Sequence, residues 1–214
     1  MAAWRYLENG GRHAELIFHR RSGKDEICLH WTAIAAFTRV ASYIYMLPEQ
    51  SQARKAIWTA INPHTGRKRI DEAFPKDLRK RTVDDEMFIE FINGSTWQVC
   101  GSDNFDSLVG GAWAGIVYSE WPLSNPNARA YLRPILAENK GWQIFNGTPR
   151  GRNHALTTLQ AARKDRTAFA QVLDATQTGI FSKEALAAEL VFLLELGGAV
   201  LLAKFGHVSH QFGR

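Results

Sequence analysis

The sequence predicts an α/β domain built on a mainly parallel β-sheet with helices on its flanks. Short apolar runs typical of strands alternate with stretches of helical periodicity, which is the pattern of β-α units. Three strands end in the polar stretches HRRSGKDE, SE and NGTP, and ligands of parallel sheets bind beyond the carboxyl ends of the strands. With 214 residues, 45% of them hydrophobic, the chain can fill one substantial core.

The first part of the chain predicts two successive β-α units. Residues 14–18 form a short apolar run, and apolar side chains recur at helical spacing over residues 25–40. Residues 41–47 are rich in β-formers and stop at Pro48, after which residues 50–61 again have a helical pattern. A strand, a loop and a helix, repeated once, is the simplest interpretation.

The second part predicts an exposed segment, a hairpin and two more strands around a helix. Residues 62–81 are polar and basic and are broken by prolines and a glycine, which predicts exposure. Asn93-Gly94 is a strong β-hairpin signal between two strand-like runs. The predicted elements are the hairpin strands 87–92 and 96–100, a strand at 114–118, a helix at 126–138 and a strand that begins at 141.

Composition and charge narrow the classes of function. The formal charge of +5, the pI near 9.4 and seven tryptophans favour an anionic partner. Cys28 and Cys100 lack CxxC spacing, so we expect buried free thiols rather than a disulfide framework or a zinc site. The N-terminus lacks the apolar region of a secretory signal, and the longest apolar run, residues 190–203, is shorter than the roughly 20 residues of a bilayer span. These features predict a soluble, cytoplasmic chain without membrane contact.

The stretch FHRRSGKDE, residues 18–26, has half of the pattern of a phosphate-binding loop. Phe18 stands where the first glycine belongs, and Asp25 stands where a Ser or Thr hydroxyl normally coordinates Mg²⁺. Gly23 lets backbone N–H groups approach phosphate oxygens, Lys24 neutralises their charge, and the following helix adds its positive end. The same residues also suit a basic turn in which Asp25 caps the helix.

Four further side chains near strand ends are candidates for the same site. Arg20 and Arg21 can stabilise charge on a transferring phosphoryl group, as an arginine finger supplied in cis, or lie in solvent. Glu120 follows an apolar strand and suits the polarisation of a water, or is an ordinary residue at a strand end. Thr148 can sense a γ-phosphate, or belongs to an ordinary turn, since Asn-Gly and Thr-Pro are turn dipeptides.

In this order the motifs resemble the ATPase half of a phage terminase large subunit, the motor that pumps DNA into a capsid. The likeness rests on HRRSGKDE as a variant Walker A, on YIYMLPEQSQARKAIW, on GSDNFDSLVGGAWAGIVYSEW, which runs into a Walker B strand, and on GWQIFNGTPRGRNH, similar to the coupling motif. It spans residues 1–184. It implies a P-loop NTPase fold of the ASCE, RecA-like type, ATP and Mg²⁺ as ligands, and ATP hydrolysis coupled to packaging of double-stranded viral DNA.

The resemblance also implies roles for individual residues. The nucleotide-binding loop comprises Ser22, Gly23, Lys24 and Asp25, with Lys24 as the phosphate lysine and Arg20 or Arg21 as the cis arginine. Glu120 is the catalytic carboxylate and Thr148 the coupling residue. Asp25 and Ser119 depart from the family pattern, since they replace a Ser or Thr and the Walker B aspartate, so the expected Mg²⁺ ligands are Asp25, Ser119 and Glu120.

Beyond residue 184 the likeness ends. The family continues into an RNase H-like nuclease of which this sequence has no counterpart, so the expected activity is that of an ATP hydrolase that does not cut DNA. Residues 185–214 are apolar and then rich in Gly and His, and the hypothesis for this tail is a truncated or frameshifted prophage gene.

The partners implied by the resemblance are double-stranded DNA, a portal protein, a small terminase subunit and further copies of the chain in a ring, in the cytoplasm of a bacterial host. Basic loops are expected to hold DNA phosphates, at Arg67–Arg69, Lys76–Arg81, Arg150 and Arg152. Two alternatives stay open. One is a catalytically silent prophage remnant that binds nucleotide or DNA without turnover, and the other is a P-loop kinase, for which no acceptor-site signature is present.

Overall fold

The computed structural model of the chain describes residues 2–188, in which eight strands form one sheet. The strands are β1 His13–Phe18, β2 Ser42–Leu47, β3 Arg79–Val83, β4 Phe88–Phe91, β5 Thr96–Gly101, β6 Trp113–Tyr118, β7 Trp142–Gly147 and β8 Phe169–Leu173. Their order across the sheet is β3-β4-β5-β2-β6-β7-β1-β8, and β4 runs antiparallel to both of its neighbours while all other pairs are parallel. The predicted mainly parallel sheet is confirmed.

Helices cover both faces of this sheet. The α-helices are α1 Ala2–Glu8, α2 Lys24–Thr38, α3 Gln50–Ala53, α4 Arg69–Ala73, α5 Pro126–Glu138, α6 His154–Lys164 and α7 Ala175–Thr178. One apolar cluster packs α1, α2 and α4 on one face, and a second packs α5 and α6 on the other. Because both faces are covered, the central strands are buried along most of their length, as β1 and β2 show.

Local sequence signals explain where the long helices begin. The side chain of Asn125 accepts a hydrogen bond from the N–H of Asn127, and Pro126 occupies the first turn of α5, where a missing N–H costs nothing. Asn153 caps α6 in the same way through the N–H of Ala155. The predicted helix over residues 126–138 is confirmed with these bounds.

The predicted hairpin is confirmed, and it carries a cluster of buried aromatic rings. Gly94 has a φ of 89°, which the turn between β4 and β5 requires and which glycine adopts without strain. On β5, Trp97 is fully buried, with its ring 4.4 Å from that of Phe74 and 6.2 Å from that of Trp58, centroid to centroid. The hairpin is therefore fastened to the segment between β2 and β3.

That segment corrects one prediction, because residues 62–81 are not simply exposed. They contain α4 and the start of β3, and Ile70 and Phe74 are buried. Arg79 donates to the backbone oxygens of Phe74 and Ile70 and pairs with Asp71 at 2.7 Å, so its charge is neutralised inside the domain. The sequence did not predict this burial, because the segment is mostly polar and its few apolar residues fit only one short helix.

The helix predicted over residues 50–61 is also shorter than expected. After α3 the backbone continues as a π-helix, Arg54–Trp58, and Thr59 ends it. Ile61 instead forms an isolated antiparallel bridge with Lys68. The inserted residue of a π-turn is common beside functional sites, and this one borders the cleft described below.

Three further expectations concern single features. Cys28 and Cys100 are buried free thiols, as predicted. Within residues 2–188, no helix is long and apolar enough to cross a membrane. The proposed boundary near residue 184 stays a prediction, and most of the predicted tail, residues 189–214, lies outside the described residues.

Trp97→Ala should lower the free energy of unfolding by about 3–5 kcal/mol, because it opens a cavity among stacked rings. Ile92→Ala is the matched control on the same hairpin, since that side chain is 60% exposed, and its effect should stay within about 0.5 kcal/mol. Urea unfolding of both variants measures the difference. Equal losses would contradict the position of Trp97 in the core.

Candidate functional site

The carboxyl ends of β1, β6 and β7 meet at one edge of the sheet. β7 lies between β1 and β6, so the loops that follow these three strands are neighbours in space although they are far apart in sequence. These loops carry the residues that the sequence marked at strand ends. The expected convergence is therefore present in the structure.

The loop between β1 and α2 has the backbone form of an anion-binding turn. Gly23 is the N-cap of α2 with a φ of 75°, and no side chain of the described residues caps the helix. The predicted alternative in which Asp25 caps the helix is wrong, because Asp25 lies within the first turn and its carboxylate is engaged elsewhere. The N–H groups of that turn can bind an anion, and the helix dipole favours negative charge there.

Lys24, which begins α2 after the loop that follows β1, contacts residues at the ends of β6 and β7. Its side chain is buried, and its Nζ lies 3.6 Å from Oε1 of Glu120 and 3.5 Å from Oγ1 of Thr148. Glu120 follows β6, and Thr148 follows β7. The ammonium group thus lies between the carboxylate and the hydroxyl that the sequence predicted for the same site.

The backbone of Glu120 is in an unusual conformation. Its φ is 52°, in the left-handed region that residues other than glycine seldom adopt, and its N–H donates to Oδ1 of Asn146 at 3.3 Å. Such conformations cost free energy and persist where the surroundings impose them, most often at functional sites. The bend after β6 directs the carboxylate toward Lys24.

Asp25 is held by three donors, two on the strands β2 and β7 and one in the residue that follows β6. Its Oδ1 accepts hydrogen bonds from the hydroxyl of Tyr45 at 2.7 Å, the hydroxyl of Ser119 at 2.8 Å and the amide of Asn146 at 3.1 Å. Burial acts to raise the pKa of Asp25, but the charge of Lys24 and the bonds from Tyr45 and Ser119 outweigh it, so the pKa lies below its ordinary value. The carboxyl is ionised at neutral pH.

These residues border a cleft of about 330 Å³. Both Arg20 and Arg21 line it. The charged side chains of the described residues around it are five cations and two carboxylates, namely Arg20, Arg21, Lys24, Arg69, Arg150, Asp25 and Glu120. The excess of positive charge, together with the N–H groups at the start of α2, suits a polyphosphate.

Sequence reasoning missed several members of this site. Asn146 contacts both Asp25 and the backbone of Glu120, yet the sequence marked only its turn. In the sequence, Tyr45 has the pattern of an ordinary strand residue. Arg69 was expected on a DNA-binding loop, but it pairs with Glu26 at 2.6 Å and lines the cleft. The one available signal was position, since Asn146 is the penultimate residue of β7, the strand next to β1.

His19 is a further residue without a sequence signal. It is buried at the start of the loop, with Nδ1 2.6 Å from the carbonyl oxygen of Arg20 and Nε2 2.7 Å from Oγ1 of Thr178 in α7. A carbonyl only accepts, so Nδ1 carries the proton. The loop is thereby tied to the segment that follows β8.

A strand, a loop with a buried lysine at the start of a helix, and a parallel strand two places away in the sheet that delivers a carboxylate define the P-loop NTPase class of fold. Within this class, the fold is that of the ATPase domain of phage large terminases, which confirms at the level of the fold the resemblance seen in the sequence. A mutant of the Thermus phage P74-26 large terminase ATPase domain superimposes with a TM-score of 0.70 at 14% identity, covering 95% of this chain and 91% of that one.

The large terminase of another thermophilic bacteriophage has the same fold. Its complex with ADP matches with a TM-score of 0.61 at 16% identity, and its complex with ATP-gamma-S with 0.62 at 13%. These matches cover 85% and 86% of this chain but only 44% of that terminase. No protein-family model and no curated protein matches the sequence.

Asp25→Asn should reduce stability in a pH-dependent way. Because the folded pKa of Asp25 is lowered, its ionised form contributes stability that is fully present above the unfolded pKa of about 3.9 and is lost as the pH falls through the folded pKa. The difference in unfolding free energy between the parent and the variant should be largest near pH 7 and shrink below about pH 4. Urea unfolding at a series of pH values measures it, and a difference that does not change with pH would contradict the assigned ionisation.

Proposed function

We propose that this chain binds ATP with Mg²⁺ in the cleft and hydrolyses it, as the motor domain of a phage or prophage terminase large subunit that drives packaging of double-stranded viral DNA. The observation that carries the proposal is Lys24, whose ammonium lies within 3.6 Å of both Glu120 and Thr148 in a cationic cleft. The ADP and ATP-gamma-S bound by the second phage terminase, which has the same fold, support it.

The residues of the loop fit a bound nucleotide. The hydroxyl oxygen of Ser22 is buried without a hydrogen-bond partner among the described residues, so its hydroxyl is free to donate to a phosphate oxygen. Nothing lies within 4 Å of the position that a Cβ of Gly23 would take, so the backbone there is open to a phosphate. The five cations offset the charge of a triphosphate.

Each residue then has a task in phosphoryl transfer. Lys24 and the N–H groups of the first turn of α2 bind the β- and γ-phosphate oxygens, and Ser22 donates its hydroxyl. Arg20 and Arg21, with Arg150 beside them, stabilise the charge that develops on the transferred group. Bound Mg²⁺ neutralises phosphate charge, and the residues that would hold it are Asp25, Ser119 and Glu120.

Glu120 acts on the attacking water. Its carboxylate accepts a proton from the water and orients it toward the γ-phosphate, a contribution of about 10²–10⁴-fold in rate for a positioned general base. The hydrogen bond from its N–H to Asn146 holds the bend that aims it. Glu120 is 23% exposed at the side chain, so a water can reach it.

Thr148 links the nucleotide to the rest of the motor. It follows β7 and contacts Lys24, so loss of the γ-phosphate alters its surroundings and moves the loop that carries Arg150 and Arg152. The exposed cations Arg67, Lys68 and Arg81 bind DNA phosphates without regard to sequence. A ring of copies, a portal protein and a small terminase subunit complete the machine in the host cytoplasm.

The second candidate is a silent form of the same domain, which binds nucleotide or DNA without turnover. It is favoured by Asp25 and Ser119, which stand where the family pattern has a hydroxyl and a carboxylate. The proximity of Lys24, Glu120 and Thr148 favours the active form.

Measurement of ATP affinity and Mg²⁺-dependent hydrolysis separates these candidates. Lys24→Ala should weaken ATP binding by about 10- to 100-fold, because it removes a charge-assisted hydrogen bond. Glu120→Gln should keep ATP affinity and lower turnover by about 10²–10⁴-fold. Lys164→Ala and Glu138→Gln, at exposed positions of α6 and α5, are the matched controls and should change neither.

The outcomes are distinct. Affinity without turnover in the parent, abolished in Lys24→Ala, supports the silent form. A parent that binds no ATP contradicts the active form and leaves only a silent form that binds DNA.

Binding to double-stranded DNA should weaken steeply as salt rises. Replacement of Arg67, Lys68 and Arg81 by Gln should reduce the slope of log K against log salt by roughly 0.9 for each DNA phosphate that is no longer neutralised. Arg163→Gln with Lys164→Gln, an exposed basic pair at the end of α6, is the control and should leave the slope unchanged. An equal effect of both sets would show that only net charge matters.

A further inference from the structure

A hydroxyl and a carboxylate have exchanged places in this site. In P-loop motors the residue after the phosphate lysine supplies a hydroxyl, and an acidic residue on the Walker B strand supplies the carboxylate beside it. Here Asp25 follows Lys24, and Ser119 precedes Glu120. Each departure taken alone removes one expected contact of the nucleotide-bound cation.

The structure brings the two departures into contact. The hydroxyl of Ser119 donates to Oδ1 of Asp25 at 2.8 Å, across the gap between β6 and the start of α2. The pair therefore still consists of one hydroxyl and one carboxylate, joined by one hydrogen bond, and its net charge is still minus one. Only the element that carries each group differs.

We propose that Asp25 and Ser119 are a reciprocal exchange: Asp25 supplies, from the phosphate loop helix, the carboxylate that anchors the cation of the bound nucleotide, and Ser119 positions that carboxylate. The inference rests on the proposed function, because it concerns the same nucleotide site. It predicts that the two departures compensate each other.

The two oxygens of Asp25 have different surroundings. Oδ1 accepts the three bonds from Tyr45, Ser119 and Asn146, which fix the orientation of the carboxylate. Oδ2 accepts no side-chain hydrogen bond from the described residues, and it is not among the fully buried oxygens that lack a partner. Asp25 keeps some exposure and lines the cleft. This second oxygen is therefore available to a cation.

The charges around Asp25 favour a cation at this position. A carboxylate in the first turn of a phosphate-binding helix repels a polyphosphate unless positive charge lies between them. Lys24 already contacts Glu120 and Thr148, and Arg69, the other cation that acts on Asp25, pairs with Glu26, so the charges of both are shared. Mg²⁺ in nucleotide sites is typically held by one or two carboxylates, phosphate oxygens and several waters, and a single rigid carboxylate oxygen meets that need.

The competing explanation is that Asp25 only stabilises the fold through its hydrogen bonds and binds no cation. The three hydrogen bonds at Oδ1 fit both explanations, so stability alone does not separate them. Only the dependence of nucleotide affinity on Mg²⁺ does, because a carboxylate that only stabilises the fold has no direct contact with the cation.

The test compares the parent with Asp25→Thr, Ser119→Asp and the double variant, which restores the usual arrangement. The measured quantity is the affinity for a fluorescent ADP analogue in excess Mg²⁺, divided by the affinity in a chelator. Asp25→Thr should lower this ratio by about tenfold or more, the size of effect that removal of an ordered partner has on metal affinity. Ser119→Asp alone should also lower it, because it removes the hydroxyl that donates to Oδ1 of Asp25 and orients that carboxylate.

The double variant should recover most of the parent ratio. Asp25→Asn, which keeps the size of the side chain, replaces Asp25→Thr if the latter fails to fold, and circular dichroism monitors folding of every variant. A double variant no better than the weaker single variant, or an unchanged ratio in Asp25→Thr, overturns the exchange. A parent that binds the analogue equally with and without Mg²⁺ overturns this inference alone, whereas a parent that does not bind it overturns the proposed function as well.

Discussion

One carboxylate oxygen, Oδ1 of Asp25, holds the site together. It receives donors from β2, from the end of β6 and from β7, while its own residue belongs to α2. A buried carboxylate without such donors would destabilise the fold, so the three bonds offset its desolvation. Lys24 precedes Asp25, and Glu120 follows Ser119. The hydrogen bond between Asp25 and Ser119 therefore sets the distance between Lys24 and Glu120. The rigidity of the site depends on this bond.

The strand order imposes a second constraint. Because β7 lies between β1 and β6, its last residues fill the gap between the phosphate loop and the bend at Glu120. Asn146 bridges the two sides with its amide. At Gly147, a Cβ would lie 2.3 Å from Cδ of Pro122, so any side chain there would push β7 away from the turn after β6. The last two residues of β7 are thus packing residues of this edge of the sheet.

The parts of the fold that could be predicted from the sequence are those with a local pattern. Periodicity or turn chemistry indicates the buried strands, the long helix after Gly23 and the turn at Asn93-Gly94. β8 has no such pattern, because every one of its residues is only half-buried and no alternation results. Tyr45 and Arg69 could not be predicted as site members, since the feature that defines them is a partner far away in sequence. Polar contacts between residues far apart in sequence do not produce a periodic pattern in the sequence.

The bond between His19 and Thr178 gives the phosphate loop a mechanical connection to the segment after β8. The bond spans 159 positions of the chain, and the ring of Phe181 lies 5.8 Å from that of His19. A hydrogen bond tolerates little change in length, so when the loop shifts, either α7 moves with it or the bond breaks. Where the bond holds, a displacement of His19 is passed to α7 and changes the direction in which residues 179–188 leave the sheet. The loop at the cleft and the segment after β8 then move as one linkage.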